Sequence, residues 1–238
     1  MRRVFLRVLT LVAMMLAAGP AARAIPEAQA MAKLRVIPVH LLVDGKGVPL
    51  PIPKDKTLVL PLYLDRQRAQ SELQQIRSRQ PGQNVALATL PLSEANALVA
   101  SLTKDLKPGY RLLAPVLPRR QDLEKATTLL QQKGLTAAQI RQGLTVPIFF
   151  TRPFLTAPTA EGERGLLFLS YADLQQALSK QSGSPSRRVE VADITAVLHR
   201  LMQTPQDLFV FRAHQSGGSD RPSRALAPPP PPPLPGGG

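Results

Sequence analysis

Ile37-Pro38-Val39-His40-Leu41-Leu42 is an apolar run that turns at Asp44-Gly45-Lys46-Gly47 and returns as Leu60-Pro61-Leu62-Tyr63-Leu64, after which Asp65 opens a helical pattern. Val146-Pro147-Ile148-Phe149-Phe150 starts the same order again. It returns through Leu166-Leu167-Phe168-Leu169 to Ser170, which opens another helical pattern. Each passage reads strand, strand, helix, then strand and helix once more. A unit that recurs in one chain decides the architecture before any single element does. The expected fold is α+β: a duplicated strand-strand-helix-strand-helix unit forming a two-lobed molecule with pseudo-two-fold symmetry. The lobes cover residues 36–118 and 146–214, joined by connecting helices over 119–145.

Within the first lobe, residues 36–43 and 58–64 read as buried strands, because their apolar runs are short and bounded by turn residues. The Pro-containing arm 48–52 belongs at an edge. Asp65 caps a helix whose apolar face is Ala69, Leu73 and Ile76, and Pro81-Gly82 ends it. Residues 85–90 form a short strand. Ser93 is the expected cap of the next helix, with Leu98, Val99 and Leu102 as its buried stripe. Residues 110–117 form a strand that Pro115 confines to an edge. Leu123, Ala126 and Leu130 mark a connecting helix that stops at Gly134, and Thr136 caps a shorter one.

In the second lobe, 146–152 is a strand, 156–165 a loop rich in Pro, Gly and Glu, and 166–169 the returning strand. Ser170 caps a helix with Asp173 in the capping-box position. Residues 188–191 form a strand, Asp193 caps the helix of Val197, Leu198 and Leu201, and 208–211 close the lobe. Residues 25–35 read as a polar leader, mobile or a short helix. Residues 215–238 collapse to Ser, Gly, Arg and Pro, with six prolines at 228–233. Such a tail buries no core and is expected to be disordered, with polyproline II character.

The chain has 238 residues. Residues 1–24 have the parts of a cleaved signal peptide in order: Arg2, Arg3 and Arg7, then an apolar run over 8–18, then Ala22-Arg23-Ala24 before a cleavage site. A buried N-terminal helix or a transit peptide fits this segment less well. Arg2-Arg3-Val4-Phe5-Leu6-Arg7 leaves two routes open, general secretion and twin-arginine export. Either delivers the protein to the periplasm or an equivalent intermembrane space. With no cysteine, disulfides, thiol catalysis and thiolate metal sites are excluded, and stability rests on burial. The formal net charge is +14. The signal segment holds four of those positive charges and no acid, so the remainder carries +10. Anionic membrane surfaces, lipopolysaccharide or acidic protein domains are the fitting partners, whereas nucleic acid is not expected outside the cytoplasm.

Catalytic equipment is sparse. His40, His199 and His214 stand at no metal-ligand spacing from one another or from an acid. No cofactor is expected. Gly45 and Gly47 lack the third glycine and the following helix of a phosphate loop, and there is no nucleophile elbow. What stands out is apolar. Phe149, Phe150 and Phe154 are three of only seven phenylalanines in a chain without tryptophan. Phe149 and Phe150 read mainly as core. Phe154 and Leu155, beyond Pro153, are candidates to line an exposed groove for extended or unfolded chains, making Phe149, Phe150, Phe154 and Leu155 the candidate client-binding set.

The duplicated signature resembles the Tic-twenty-two family of cyanobacteria and of the space between the chloroplast envelope membranes. The matching pieces are Ile37-Pro38-Val39 with its Asp44-Gly45 turn, Val48-Pro49-Leu50, the strand-to-helix segment 60–73, residues 118–130, and Val146-Pro147-Ile148-Phe149-Phe150. Leu60-Pro61-Leu62-Tyr63 departs from the family's commoner Val-Pro-Val-Phe, and the proline tail is not expected there. The resemblance implies a two-lobed α+β fold with hydrophobic pockets and no enzymatic activity. It also implies a chaperone-like factor that assists precursor proteins toward translocation, linked in cyanobacteria to outer-membrane biogenesis through an Omp-eighty-five-type assembly protein. The expected function is therefore a periplasmic chaperone-like factor that binds apolar segments of unfolded or precursor clients. The alternative is a basic envelope adaptor that binds anionic lipid or lipopolysaccharide without client activity.

Overall fold

The computed structural model describes residues 25–181, 186–204 and 208–214; the signal-peptide and tail assignments lie outside them. The segment expected to be a leader is a short helix, α1 (Glu27–Ala32), continued by a 3-10 turn (Lys33–Val36). Then come β1 (Pro38–Asp44), β2 (Ile52–Lys54), β3 (Thr57–Val59), β4 (Leu62–Tyr63), α2 (Arg66–Arg79), β5 (Val85–Pro91), α3 (Leu92–Lys104), β6 (Arg111–Leu113) and β7 (Val116–Leu117). The connecting helices are α4 (Arg120–Gln132) and α5 (Ala137–Gly143). The second half holds β8 (Pro147–Arg152), β9 (Thr156–Thr159), β10 (Gly162–Phe168), α6 (Tyr171–Ser179), β11 (Arg188–Asp193), α7 (Ile194–Gln203) and β12 (Phe209–Arg212).

The fold is mixed α+β. One sheet has the order β5-β1-β4-β7, the other β11-β8-β10-β12 with β9 added on β10. The pairing senses also agree: the first two contacts in each order are antiparallel, and the last, β4 with β7 and β10 with β12, is parallel. A third, small sheet has the order β2-β3-β6.

Three strand expectations are corrected. The run 58–64 is two strands in two sheets, β3 and β4, parted at Leu60-Pro61, and 110–117 likewise divides into β6 and β7 around Pro115. The backbones still run side by side: Leu60 N donates to Leu113 O at 2.7 Å, Leu62 N to Pro115 O at 3.0 Å and Leu64 N to Leu117 O at 2.9 Å. Each proline lacks the N–H that would continue the ladder, so each run changes sheet there. Residues 156–165 are not a loop; β9 and β10 form a hairpin around Gly162, whose φ of 107° suits glycine.

Helix starts follow the orphan-donor rule, though not always by side chains. Asp65 accepts from Gln67 N and Arg68 N, Thr136 makes a capping box with Gln139, and Ser170 accepts from Asp173 N. Ser93 does not cap α3. That helix begins one residue earlier, after Pro91, and its first amide, Leu92 N, donates to Ile37 O at 2.8 Å. The residue just before β1 supplies the acceptor that a serine was expected to supply.

The larger apolar cluster spans both halves. Val39, Leu41 and Leu62 from the first sheet meet Ile148, Leu167 and Phe211 from the second, with Leu34 and Ile37 between them. A second cluster, on the other face of the second sheet, packs Phe149, Leu155, Phe168 and Leu174 against Ala126 and Ile140 of α4 and α5. Leu34 is 1% exposed. Truncating it removes buried methyls and leaves a cavity, so Leu34→Ala is expected to cost about 2–5 kcal/mol. Because the cluster is shared, the lowered urea midpoint should be the same by far-UV circular dichroism and by tyrosine fluorescence, in one transition.

Candidate functional site

Strand alternation sorts the candidate residues. On β8, Phe149 and Thr151 point to one face and Phe150 and Arg152 to the other, since successive side chains alternate. Phe149 is fully buried and meets Tyr171 edge-on at 5.5 Å. Phe150 stays half-buried. After β8 the chain turns through a cis Arg152–Pro153 bond. Thr151 Oγ1 donates to Pro153 O at 2.8 Å and accepts from Leu155 N at 3.0 Å, while Arg187 Nη1 donates to the carbonyls of Pro153 and Phe154. Pinned this way, Phe154 folds back and stacks on Phe150 with ring centroids 5.4 Å apart. Leu155 does not join it. At 1% exposure it belongs to the core on the opposite face, which corrects the expectation that it lines a groove. Adjacent residues of an extended chain cannot both face one groove.

A groove that Phe150 and Phe154 line, and Phe149 and Leu155 do not, opens beside α7. Phe150 and Phe154, with Phe209 of β12, form its aromatic side, and Ala196, Val197 and Leu201 of α7 form the facing wall. Its volume is about 310 Å³. Phe154 and Phe209 tilt against each other at 4.9 Å. Two arginines edge the groove, Arg152 and Arg200. The Arg152 guanidinium lies 5.7 Å from the Phe150 ring centroid and 5.3 Å from that of Phe154, within cation–π range. Gly165 of β10 makes the cluster possible: a Cβ there would come within 2.8 Å of the Phe209 ring and 3.4 Å of Phe154. Phe209 and the α7 wall escaped the sequence reading as site residues. The available signal was that 208–211 was expected to close the lobe, which brings Phe209 beside the returning strand.

One carboxylate sets the position of the α7 wall. Asp193 Oδ2 accepts from Thr145 N at 2.6 Å, Thr145 Oγ1 at 2.7 Å and Val146 N at 3.0 Å, and Oδ1 accepts from Thr195 N at 2.9 Å. It caps α7 and ties that helix to the residues that lead into β8. Burial pushes the Asp193 carboxyl up, but the bonds from Thr145, Thr195 and Val146 outweigh it and hold the group below its ordinary value.

A second cavity of about 280 Å³ lies where the halves meet, between Pro38, Leu64 and Pro118 on one side and Pro147, Leu169 and Ala213 on the other. Its polar lining is largely committed. Arg119 Nε donates to Asp122 Oδ2 at 2.7 Å and Arg119 Nη2 to Ser170 Oγ at 2.6 Å, and Asp122 Oδ1 accepts from Tyr171 N. His214 Nδ1 stands 3.0 Å from Asp173 Oδ2, so Asp173 faces His214 and makes no reciprocal capping box. Ser170, fully buried, spends its hydroxyl on Arg119 and the α6 cap. His40 is buried with Nδ1 2.8 Å from Thr89 Oγ1. Among the described residues no three of His, Asp and Glu stand together as metal ligands, and no helix is long and apolar enough to cross a membrane.

Two outcomes are expected. Gly165→Val forces Phe209 and Phe154 apart, and the aromatic region of the near-ultraviolet dichroism should change while most far-ultraviolet signal is kept. Asp193→Ala loses a helix cap and the amides of Thr145 and Val146, costing about 2 kcal/mol in urea denaturation. Because the Asp193 value is depressed in the folded state, its contribution is fully present above the unfolded range of about 3.9 and is lost as pH falls through the folded value. The gap in midpoint between Asp193→Asn and the parent should therefore narrow on acidification below about pH 4.

No protein-family model matches the chain, and no curated protein matches it in sequence. Solved structures do. Anabaena Tic22 (protein transport) is similar at a TM-score of 0.66 and 24% identity, covering 81% of this chain and 95% of that one. Tic22 from Plasmodium falciparum is similar at a TM-score of 0.63 and 17% identity, covering 77% of this chain and 91% of that one. The protein has a Tic22-like fold.

Proposed function

We propose that this protein is an exported, non-enzymatic factor in protein translocation that holds apolar segments of unfolded or precursor clients in the groove between its second sheet and α7. The observation that carries the proposal is the groove itself, an aromatic side made by Phe150, Phe154 and Phe209 opposite an aliphatic helix wall. A concave apolar lining with a few charged groups at its edge suits chains whose sequence varies but whose apolar character does not. Arg152 and Arg200 add hydrogen-bond donors for a client's carbonyls or acidic side chains. The fold likeness to Anabaena Tic22, described as protein transport, supports the same reading.

The setting follows from the basic, apolar and small-residue order of residues 1–24, which supports export to the periplasm or an equivalent intermembrane space. There the partners are clients on their way to translocation or to the outer membrane, with an Omp-eighty-five-type assembly protein as the receiving component. The chain is read as a duplication with pseudo-two-fold symmetry, supported by the shared strand order of its two main sheets.

The test is suppression of aggregation when a urea-unfolded outer-membrane β-barrel protein is diluted into buffer. The parent chain should delay light scattering at near-stoichiometric ratios, at low and high salt alike, because apolar contact is little screened. Phe154→Ser combined with Phe209→Ser should abolish the delay, and Phe154→Leu should keep most of it. If the serine pair stays folded and protects the client as well as the parent does, the groove assignment fails.

A further inference from the structure

The third, small sheet carries a surface that the groove does not account for. Its register sets residues in rows: Ile52 pairs with Val59 and Val59 with Leu113, while Lys54 pairs with Thr57 and Thr57 with Arg111. Cross-strand partners project from the same face, and so do residues two apart. One face of this sheet therefore shows an aliphatic row beside a basic row, about 7 Å apart along the strands. The row between them, Pro53, Leu58 and Leu112, points the other way, and Leu112 packs on the main core. Ile52 is 52% exposed and Leu113 50%. Lys54, Lys56, Lys107 and Arg111 around the sheet are all exposed, with Asp55 at the turn tip and Asp105 two residues before Lys107 as the acids near them.

We infer that this face docks the protein on an anionic lipid bilayer surface. Three features favour that occupant. None of its residues lines either of the two cavities described above. Its two rows hold no aromatic residue, the exposed Tyr110 standing at their margin beside Arg111, whereas the centres of protein interfaces are enriched in aromatics and depleted in lysine. Its layering also matches a lipid interface: short aliphatic chains reach the acyl boundary, while the longer stem of Lys54 and the Arg111 guanidinium, held by its Nε on Thr57 Oγ1 at 3.0 Å, offer charge beside them to the phosphates. The β9–β10 hairpin of the second half has no such pair of rows; its one basic residue, Arg164, pairs with Ala157. Thr156, Pro158, Glu161 and Glu163 are exposed there, and none is a large aliphatic. The molecule thus has one side suited to an anionic surface and one that is not. This reading stands independently of the groove.

The experiment is sedimentation with vesicles of mixed phosphatidylglycerol and phosphatidylcholine against vesicles of phosphatidylcholine alone. It uses the full chain and, in parallel, the chain beginning at Ile25, so that the apolar segment 1–24 is separated from the sheet. Parent protein should bind the anionic vesicles and weaken as salt rises from about 0.05 to about 0.5 M. Ile52→Ser with Leu113→Ser, and separately Lys54→Gln with Arg111→Gln, should each lower affinity about tenfold or more. Arg79→Gln with Arg141→Gln removes the same charge from α2 and α5 and should change it less than about twofold. Vesicles should also slow hydrogen exchange of the parent in β2, β3 and β6. The inference is overturned if the parent prefers neither vesicle, if the serine pair binds as well as the parent, or if the distant pair falls as far as the local one. It is equally overturned if exchange in these strands is unchanged, or if the serine pair abolishes a dimer in lipid-free solution and leaves vesicle binding intact.

Discussion

Everything in this molecule depends on a short stretch that joins two sheets through one core. Leu34 and Ile37 sit inside the larger cluster, where residues of both sheets meet. The Ile37 carbonyl accepts the first amide of α3, and Lys33 Nζ donates to the carbonyl of Phe209 in β12 at 2.9 Å. Within five residues the chain thus holds the first half by one backbone bond and the second by one side-chain bond. Neither half is large, and small domains bury too little surface to be stable alone. Sharing one core makes up that deficit.

The two halves solve the same local problem by different means. In each, the first amide of the last helix donates to the carbonyl just before the first strand: Leu92 N to Ile37 O, and Ile194 N to Val146 O. Only α7 adds a side-chain cap, Asp193, which also gathers Thr145 and Val146. The second half likewise has Gly165, whose missing side chain gives Phe209 room to approach Phe154. The second half therefore carries the aromatic groove, and the first carries the small, basic-edged sheet.

Much of this was legible in the sequence. The order of strands and helices, the caps at Asp65, Thr136, Ser170 and Asp193, and the concentration of phenylalanine in β8 follow from spacing and residue type. The split of 58–64 and 110–117 between sheets was not legible, because an apolar run looks the same whichever sheet it joins. Pro61 and Pro115 were the only cue. Ser93 had the right chemistry for a cap, but the acceptor came from Ile37, a partner distant in sequence. Leu155 is a different case. Alternation alone separates it from Phe154, and a period-two reading carried past Pro153 would have placed it in the core. Phe209 and α7 needed tertiary structure, since nothing local links residue 209 to residue 154.

The two main sheets also take their last strands from different points along the chain. The first main sheet is complete once Leu117 is available, because β7 is its last strand. The second waits for Phe209 to Arg212, the strand that pairs in parallel with β10. In a chain that emerges N-terminus first, every strand of the first sheet is therefore present before the second sheet has its last. The aromatic side of the groove lacks Phe209 until the closing strand arrives, so this face is among the last parts of the fold to be complete.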